Sequence, residues 1–473
     1  MSQDARLARN VVALAVAQGA TLVLGLVLWV HLGRALGSER LGMVAFGMAL
    51  VSYFVLVVTL GFDAVAVREA ARDGAREAEI LPLLLGARLT LAAGATAGFV
   101  GVTVALGLGP AYQSTVLVLG ALVVARAVQL DWVYQAREQM GVAALRNAGA
   151  AAVTAGLAVA LVRGPADVVT AAAAVVAGPL VANAVLLAVY AREAGVPRPR
   201  FAWREWRVLL APAIPLAVSG FVMQFYYNVD KLMLEGFRTT AEVGQYEVAY
   251  KLYALGIAAA GVLYTAFYPA LSGAFGDAGA MRREGRRFGG VLLALGPPVA
   301  LAGAVLAPDL LRLLFGEAYL DATLALRVLF VYAGLSYVSM AFGVPLMAWD
   351  DERSYFRAAL GGGVANVVLN VALIPRFGIA GAAVATLASE AVVTVGMAVR
   401  YRRLSGTLHA GRMGRGLAAA VGGGWLPAWA GSALGLPLAA TLALVAVGVA
   451  GAGWVSGLVA PRTLLDALLR RPR

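Results

Sequence analysis

Cysteine is absent from the 473-residue chain, and histidine occurs only twice, as His31 and His409. Without a thiol there is no disulfide framework, no thiolate metal site and no cysteine nucleophile. Two histidines argue against zinc centres built on histidine and against Ser-His-Asp triads. A GxxxxGK[ST] phosphate loop is also missing, which argues against an ATP-driven motor. We therefore predict that the chain is not an enzyme and needs no resident cofactor.

Charged residues are scarce at 14%, whereas hydrophobic residues make up 61% and the mean hydropathy is +0.81. No soluble domain needs so much apolar surface. A β-barrel would alternate in ~10-residue segments, but this chain has long continuous runs. The composition predicts an all-α polytopic membrane protein with about fourteen transmembrane helices of ~20 residues. The predicted spans are 11–33, 41–60, 80–107, 114–133, 142–162, 168–190, 209–234, 248–270, 289–307, 323–349, 355–374, 379–399, 416–434 and 438–459. The first is too long for the apolar core of a signal peptide, so we expect it to be retained.

The net charge of +12 is distributed unevenly among the predicted loops. Of the 38 Lys and Arg residues, 27 lie in or beside loops on the side of the two termini, 8 lie on the opposite side, and three lie within spans. Basic loops mark the cytoplasmic side of a membrane. The asymmetry predicts a multi-pass protein of the bacterial cytoplasmic (inner) membrane with both termini in the cytoplasm. It also accounts for the basicity without nucleic acid.

The predicted spans divide into two halves and a C-terminal addition. VPRPRFAWREW (196–206) follows the sixth span, and its prolines forbid a continuous helix. LAVALV (157–162) ends the fifth span and LNVALI (369–374) ends the eleventh, 212 residues later. Because those two spans share one orientation, the repeat is parallel, with an axis along the membrane normal. The predicted partition is an N-terminal lobe at 1–190, a cytoplasmic linker at 191–208, a C-terminal lobe at 209–403, and two further spans with a basic tail at 404–473.

An acid and a base lie side by side in MQFYYNVDKLML (223–234), within an otherwise apolar segment. Adjacent helical residues point ~100° apart, so Asp230 and Lys231 cannot share one narrow stripe. One interpretation is mutual neutralisation near the outer interface, with the lysine reaching towards water. The other assigns separate roles, with Asp230 as an oxygen ligand or proton carrier and Lys231 turned towards a cavity.

Polar residues recur at a spacing of four on two later spans. Asn366 and Asn370 share one face of the eleventh span, and Thr386 and Glu390 share one face of the twelfth. Amide, hydroxyl and carboxylate oxygens suit a hard cation such as Na⁺. Hydrogen bonding between neighbouring helices explains the same residues equally well.

Four further cations lie within spans or near their ends: Lys251, Arg68, Arg88 and Arg126. Cations around a cavity suit an anionic substrate such as a pyrophosphate. Charges that only orient the chain in the membrane are the alternative, and we favour it for the three arginines. Lys251 is one of only two lysines, and for it we favour substrate binding.

Three segments carry a resemblance to a known family. They are MQFYYNVDKLMLEGFRTTAEVGQYEVAYKL (223–252), LLFGEAYLDATLALRVL (313–329) and ANVVLNVALIPRFGIAGAAVATLASE (365–390). These segments resemble bacterial polysaccharide flippases, which belong to the multidrug/oligosaccharidyl-lipid/polysaccharide exporter superfamily, and they are also similar to lipid II flippases. The likeness extends over nearly the whole chain in topology, but it is specific only around 223–273 and 310–390.

The resemblance implies two lobes around a central cavity and a lipid-linked sugar as cargo. It places Lys251 where lipid II flippases keep an essential arginine. Their sodium site would correspond to Asp230, Asn366, Asn370 and Thr386, although some of them carry Asp where this chain has Asn370. The last two spans would form a groove for the lipid tail.

The expected function is translocation of polyprenyl-pyrophosphate-linked oligosaccharide, such as an O-antigen precursor, by alternating access. The coupling ion would be Na⁺ or H⁺, or the membrane potential would drive transport. The expected partners are the cargo, membrane lipids, and polysaccharide polymerase or glycosyltransferase machinery. Alternatives are a lipid II flippase, a multidrug or small-cation exporter, a membrane glycosyltransferase and a non-transporting scaffold. The expected cargo-binding residues are Lys251, Lys231, Arg68, Arg88 and Arg126.

Overall fold

The computed structural model describes residues 3–74, 76–406 and 410–458, and all the regular structure in these residues is helical. His409 and the basic tail beyond residue 458 lie outside the described residues. The predicted all-α class is therefore confirmed for the described chain. The chain forms two compact units, Met1–Gly244 and Gln245–Arg473.

The first unit contains nine helices and the start of a tenth among its described residues. A short 3₁₀ turn, Pro165–Asp167, precedes α8. The helices are α1 (Gln3–Thr59), α2 (Phe62–Arg72), α3 (Arg76–Ala105), α4 (Pro110–Leu119), α5 (Ala121–Ala127), α6 (Asp131–Ala136), α7 (Met140–Leu161), α8 (Val168–Ala194), α9 (Trp203–Phe237) and the first turn of α10 (Thr240–Gly273).

The second unit continues α10 and adds six helices among its described residues. A 3₁₀ turn, Glu317–Ala322, precedes α12, and a π-helical segment, Ala420–Trp425, joins α14 to α15. The helices are α11 (Ala278–Leu314), α12 (Thr323–Ala348), α13 (Glu352–Ser405), α14 (Ala410–Ala419), α15 (Leu426–Ala433) and α16 (Leu438–Val455). The predicted partition at 1–190, 191–208, 209–403 and 404–473 stays a prediction.

Ten helical segments of the described residues are long and apolar enough to cross a membrane. Two of them, Ala17–Arg72 and Glu352–Ser405, have 56 and 54 residues. At 1.5 Å per residue each would be roughly 80 Å long, against a hydrocarbon core of ~30 Å. Non-helical glycines interrupt both: Gly37 has φ 73° and Gly378 has φ 54°. Each segment thus holds two of the predicted spans, which confirms a multi-pass protein. The total of fourteen stays a prediction.

The two halves of α13 pack against each other as an antiparallel pair. A Cβ on Gly362 would lie 2.1 Å from the Val393 side chain, and one on Gly396 would lie 3.1 Å from Cβ of Ala358. Residue 362 thus contacts residue 393, and residue 358 contacts residue 396, so the two halves run in opposite directions and the chain reverses at Gly378. Small residues permit this close approach where no hydrophobic force between spans is available.

Helices α11 and α12 form the centre of the second unit through similar contacts. A Cβ on Gly296 would lie 2.3 Å from Cβ of Tyr337, and one on Gly303 would lie 2.4 Å from the Phe330 ring. The Tyr337 hydroxyl donates to the Gly256 carbonyl at 3.0 Å. The C-terminal helices pack on the same core, because a Cβ on Gly424 would lie 2.2 Å from the Pro298 carbonyl oxygen.

The connection between α8 and α9 is extended from residue 195 to residue 202, which confirms the break predicted from its prolines. Gly195 ends α8 with φ 84°. The Arg200 amide donates to the Pro82 carbonyl at 2.8 Å, and the Trp206 indole donates to the Arg200 carbonyl at 3.3 Å. A Cβ on Gly86 would lie 2.2 Å from the Arg200 oxygen. This close backbone contact fastens the connection to α3.

Candidate functional site

The α13 hairpin encloses a cluster of neutral polar side chains in the second unit. Asn366, Asn370, Thr386 and Ser389 are each at most 6% exposed. The Asn370 amide donates to Oδ1 of Asn366 at 2.9 Å, and the Asn366 amide approaches the Ser389 hydroxyl at 3.4 Å. Ser389 in turn donates to the Thr386 carbonyl at 2.9 Å. The structure therefore brings together three of the four residues predicted to hold a cation.

One oxygen of this cluster is available to a ligand. Oδ1 of Asn370 is buried and has no hydrogen-bond partner. A buried, unsatisfied carbonyl oxygen costs free energy, and a hard cation would satisfy it. The residues thus fit a sodium-like ion. Among the described residues there is no group of three or more His, Cys, Asp or Glu side chains that could hold a metal.

The fourth predicted ligand, Asp230, belongs to the first unit. Its carboxylate is 3% exposed and accepts a hydrogen bond from the backbone N–H of Lys231 at 2.9 Å. On α1, the Tyr53 ring packs edge-on against Phe221 and Phe225 of the helix that carries Asp230. Lys231 is also buried, at 7% exposure. Both charges are thus withdrawn from the protein surface.

Lys251 forms an ion pair that sequence reasoning missed. Its Nζ lies 2.9 Å from Oε1 of Glu247, one helical turn earlier on α10. The Glu247 side chain is 3% exposed, whereas that of Lys251 is 32% exposed. The carboxylate therefore anchors the ammonium group while leaving part of it accessible. The EVAYK spacing contained this i, i+4 signal.

Arg88 and Arg126 meet at a shared carboxylate. Nη2 of Arg126 lies 2.8 Å from one oxygen of Asp63, and Arg88 donates to the other oxygen. Arg88 also donates to the Gln129 carbonyl at 3.0 Å. Arg68 does not join them: its side chain is 52% exposed and lies 3.6 Å from the carboxylate of neighbouring Glu69. Only two of the three predicted arginines are therefore brought together.

The same network extends to residues that the sequence did not single out. Gln129 donates to Asp131, and Arg146 lies 3.6 Å from the same carboxylate. Arg146 also donates to Oδ1 of Asn183 at 2.6 Å. Nε of Arg88 and Nε of Arg146 are buried without a hydrogen-bond partner. Three guanidinium groups against two carboxylates leave this network with one excess positive charge.

A second ion cluster ties together the ends of three segments in the first unit. Arg137 donates to both oxygens of Glu77, at 2.8 and 2.6 Å, and to Glu193 at 2.9 Å. The Tyr190 hydroxyl donates to Glu77 at 3.2 Å, and the guanidinium group lies over the Tyr190 ring. The hydrogen bonds to Glu77 raise the pKa of Arg137. One guanidinium group thus contacts two carboxylates and holds the ends of these segments together.

Comparisons with known proteins agree with the resemblance in the sequence. A model of the polysaccharide biosynthesis protein family matches residues 7–275. The chain is 22% identical to the "Putative O-antigen transporter" of Escherichia coli (strain K12) over 82% of this chain and 95% of that protein. It is 30% identical over 38% of each chain to the "Probable low-salt glycan biosynthesis flippase Agl15" of Haloferax volcanii.

The fold is also known. The lipid II flippase MurJ in an inward closed conformation superposes with a TM-score of 0.71, covering 96% of this chain and 100% of that chain at 11% identity. So low an identity establishes the shared fold alone. The family match covers more than half of the sequence, and the chain therefore belongs to the polysaccharide biosynthesis protein family of multi-pass membrane proteins.

Proposed function

We propose that the chain flips a lipid-linked oligosaccharide across the bacterial cytoplasmic membrane by alternating access, with both termini in the cytoplasm. The family match over 7–275, in a chain that buries several charged side chains within membrane-length helices, carries this proposal. Buried charges in such helices are expensive and mark sites for ions or polar cargo. The names of the Escherichia coli and Haloferax relatives support the same class of cargo.

Lys251 is the residue we assign to the anionic head of the cargo. Its ion pair with Glu247 holds the ammonium group in place, and its 32% exposure leaves part of that group accessible to a phosphate. Lys231, Arg88 and Arg126 are secondary candidates. Arg88 and Arg126 already share Asp63, so a pyrophosphate would have to compete with that carboxylate. Arg68 is the weakest candidate, since it is exposed and apart from them.

Cation coupling is the second part of the proposal. The Oδ1 of Asn370, the hydroxyl of Thr386 and the amide oxygen of Asn366 would supply neutral ligands in the second unit, and Asp230 of the first unit is a separate candidate for ion coupling. Na⁺ fits this donor set. H⁺ is the competing coupling ion, with Asp230 as its carrier. Ion binding would bias one conformation only as far as it binds that conformation more tightly.

The proposed role of this chain is transport of the cargo and not its synthesis. We assign no bond-making step to this chain. We expect separate enzymes to form the glycosyl and phosphodiester bonds of the cargo. Membrane glycosyltransferases that build the oligosaccharide and a polymerase that consumes it are the expected neighbours.

The test uses the full chain in proteoliposomes loaded with a fluorescent polyprenyl-pyrophosphate oligosaccharide. Leaflet exposure is followed by a membrane-impermeant lectin or glycosidase, with and without a Na⁺ gradient. Lys251→Ala is compared with Arg238→Ala, because Arg238 makes the same i, i+4 ion pair with Glu242, at 3.0 Å, in a more exposed setting. We expect wild type and Arg238→Ala to flip the cargo and Lys251→Ala to lose at least about tenfold in rate.

Two outcomes would contradict the proposal. If wild type leaves the labelled lipid in its original leaflet but extrudes organic cations, the chain is a small-cation exporter. If Lys251→Ala and Arg238→Ala reduce the flipping rate equally, loss of any positive charge has the same effect, and Lys251 has no specific role in binding the cargo. Lipid II offered as alternative cargo distinguishes a peptidoglycan precursor from other lipid-linked sugars.

A further inference from the structure

A small cleft with two arginines among its lining residues lies in the second unit between α11, α12, the end of α13 and α14. Its floor is made largely of glycine, and aromatic rings of α12 and α13 close one side. The residues that define it are Gly285, Arg286, Gly290, Phe342, Tyr401 and Arg412. The cleft contains none of the residues assigned above to cargo or cation.

The arginines around this cleft have no acidic partner among the described residues. Arg412 donates to the carbonyl of Arg286, and Arg415 donates to the carbonyls of Gly411 and Ser456 at 3.4 and 3.1 Å. Main-chain carbonyls satisfy the donors but do not neutralise the charge. Burial lowers the pKa of Arg412, and repulsion from Arg415 and Arg286 lowers it further. Within the described part of the chain, three cations are thus gathered without an acidic partner.

Gly290 leaves room for the guanidinium group of Arg412 beside the cleft. A Cβ on Gly290 would lie 2.8 Å from Nη1 of Arg412, so only a bare backbone admits the guanidinium group there. A Cβ on Gly416 would lie 3.1 Å from Cβ of Leu293, which brings α14 directly onto α11. The Tyr401 hydroxyl sits over Gly285 in the same way, at 2.5 Å from a Cβ built there. The arrangement is packed, not a set of freely moving surface charges.

Helix α14 has the character of an interfacial helix. Met413 and Leu417 are 37% and 64% exposed, although both are large and apolar. Arg412 and Arg415 lie on the same ten-residue helix. A helix that lies at the level of the lipid headgroups typically combines exposed apolar side chains with neighbouring arginines. The loop charges predict that Arg286 and α14 lie on the cytoplasmic side, where anionic lipids gather.

We propose that Arg286, Arg412 and Arg415 form a binding site for the phosphate of an anionic phospholipid from the cytoplasmic leaflet. The guanidinium groups would bind the phosphate oxygens with paired N–H donors, and Tyr401 lines the same cleft. The acyl chains would run along the exposed apolar side chains of α14. The occupant is a resident lipid that holds α14 against α11, and the site is independent of the cargo that is transported.

The experiment measures lipid retention by the full chain in detergent, by native mass spectrometry and by thermal stability. Phosphatidylglycerol, phosphatidylcholine and soluble inorganic phosphate are titrated separately. The test variant is Arg412→Gln with Arg415→Gln. The control is Arg402→Gln with Arg403→Gln, which removes two exposed arginines from the adjacent end of α13.

We expect phosphatidylglycerol to bind and stabilise the wild type in preference to phosphatidylcholine. Each arginine near the membrane surface attracts anionic lipid. Because the test variant removes two of the three proposed phosphate ligands, it should lose roughly tenfold or more in apparent affinity for phosphatidylglycerol. The control should lose less than about threefold. Arg286→Gln alone, which leaves α14 unchanged, should give an intermediate loss and guards against misfolding of the double variant.

Three results would overturn the proposal. Equal losses in the test and control variants would mean diffuse attraction by the basic face and no site. Equal binding of phosphatidylglycerol and phosphatidylcholine by the wild type would mean that the phosphate charge is not recognised. Competition by inorganic phosphate at the concentration at which phosphatidylglycerol binds would mean that the cleft recognises free phosphate and not a lipid.

Discussion

Asp63 holds the centre of the buried network in the first unit, and replacing it with Asn is the most informative test of that network. Its two oxygens accept from Arg88 and Arg126. Asp63→Asn keeps the shape but removes the charge that compensates both guanidinium groups. Arg88 is 1% exposed and cannot recover the loss from water, whereas Arg126 is 28% exposed and can do so in part.

The size of the effect follows from this difference in burial. Breaking a buried ion pair by removing one partner costs about 3–5 kcal/mol, while exposed pairs contribute about 0.2–1 kcal/mol. Asp63 is itself 32% exposed, so water screens it partly and the low end applies. We expect Asp63→Asn to reduce the free energy of unfolding by about 3 kcal/mol. Arg126→Gln should cost only about 1 kcal/mol, because Asp63 then still pairs with Arg88.

Thermal unfolding of the purified protein in detergent measures both changes. At about 2 °C per kcal/mol for a chain of this size, the Tm should fall by about 6 °C for Asp63→Asn and by about 2 °C for Arg126→Gln. Adding Arg88→Met to Asp63→Asn removes the uncompensated charge and should restore roughly half of the loss, which a double-mutant cycle records as favourable coupling.

Two results would refute this reasoning. A Tm for Asp63→Asn within about 1 °C of wild type would mean that the carboxylate does not compensate a buried charge. A double variant that is less stable than Asp63→Asn by the full cost of Arg88→Met would mean that the two residues act independently.

Three further predictions test other parts of the molecule. Burial would raise the pKa of Asp351, but the hydrogen bond from Arg400 and others at the helix start outweigh it and lower the pKa. Its stabilisation is therefore complete above pH ~4 and is lost as the pH falls through the folded pKa, so Asp351→Asn should flatten the acid limb of a Tm-against-pH profile. Gly303→Ala should cost about 1–3 kcal/mol by thermal unfolding, since the new methyl would meet an aromatic ring at 2.4 Å. A Cβ on Gly261 meets no atom within 4 Å, so Gly261→Ala should be neutral or stabilise the protein by up to about 1 kcal/mol. An equal loss of stability in Gly303→Ala and Gly261→Ala would contradict the packing argument. Asn370→Asp should lower several-fold the Na⁺ concentration for half-maximal transport, and an unchanged value would argue against this cation site.

The helices were predictable because lipid requires every backbone group to be satisfied within the helix, so apolar runs of membrane length leave no alternative. The reversal at Gly378 was predicted as a gap between two spans (355–374 and 379–399). The sequence did not show that Gly37 and Gly378 join long helical stretches with a single non-helical residue each. That detail depends on the packing of both sides of each break.

The polar sites were predictable to the extent that their residues are close in the sequence. Asn366 and Asn370 are one turn apart, and their hydrogen bond confirms that they share a face. The pair of Lys251 with Glu247 has the same spacing and could have been found. Local helix geometry fixes both pairs before any tertiary contact forms.

By itself the sequence determined the class of the protein, its membrane-length helices and its resemblance to polysaccharide flippases, because these depend on composition, periodicity and local motifs. The tertiary structure alone decided which arginines share Asp63, since Arg126 lies 63 residues away from it, and which gather around the cleft beside α14. A charge in a sequence does not reveal its partner. Only the packing of distant helices determines whether a buried arginine is neutralised by a carboxylate, as Arg88 is, or left for an anion from outside, as we propose for Arg412.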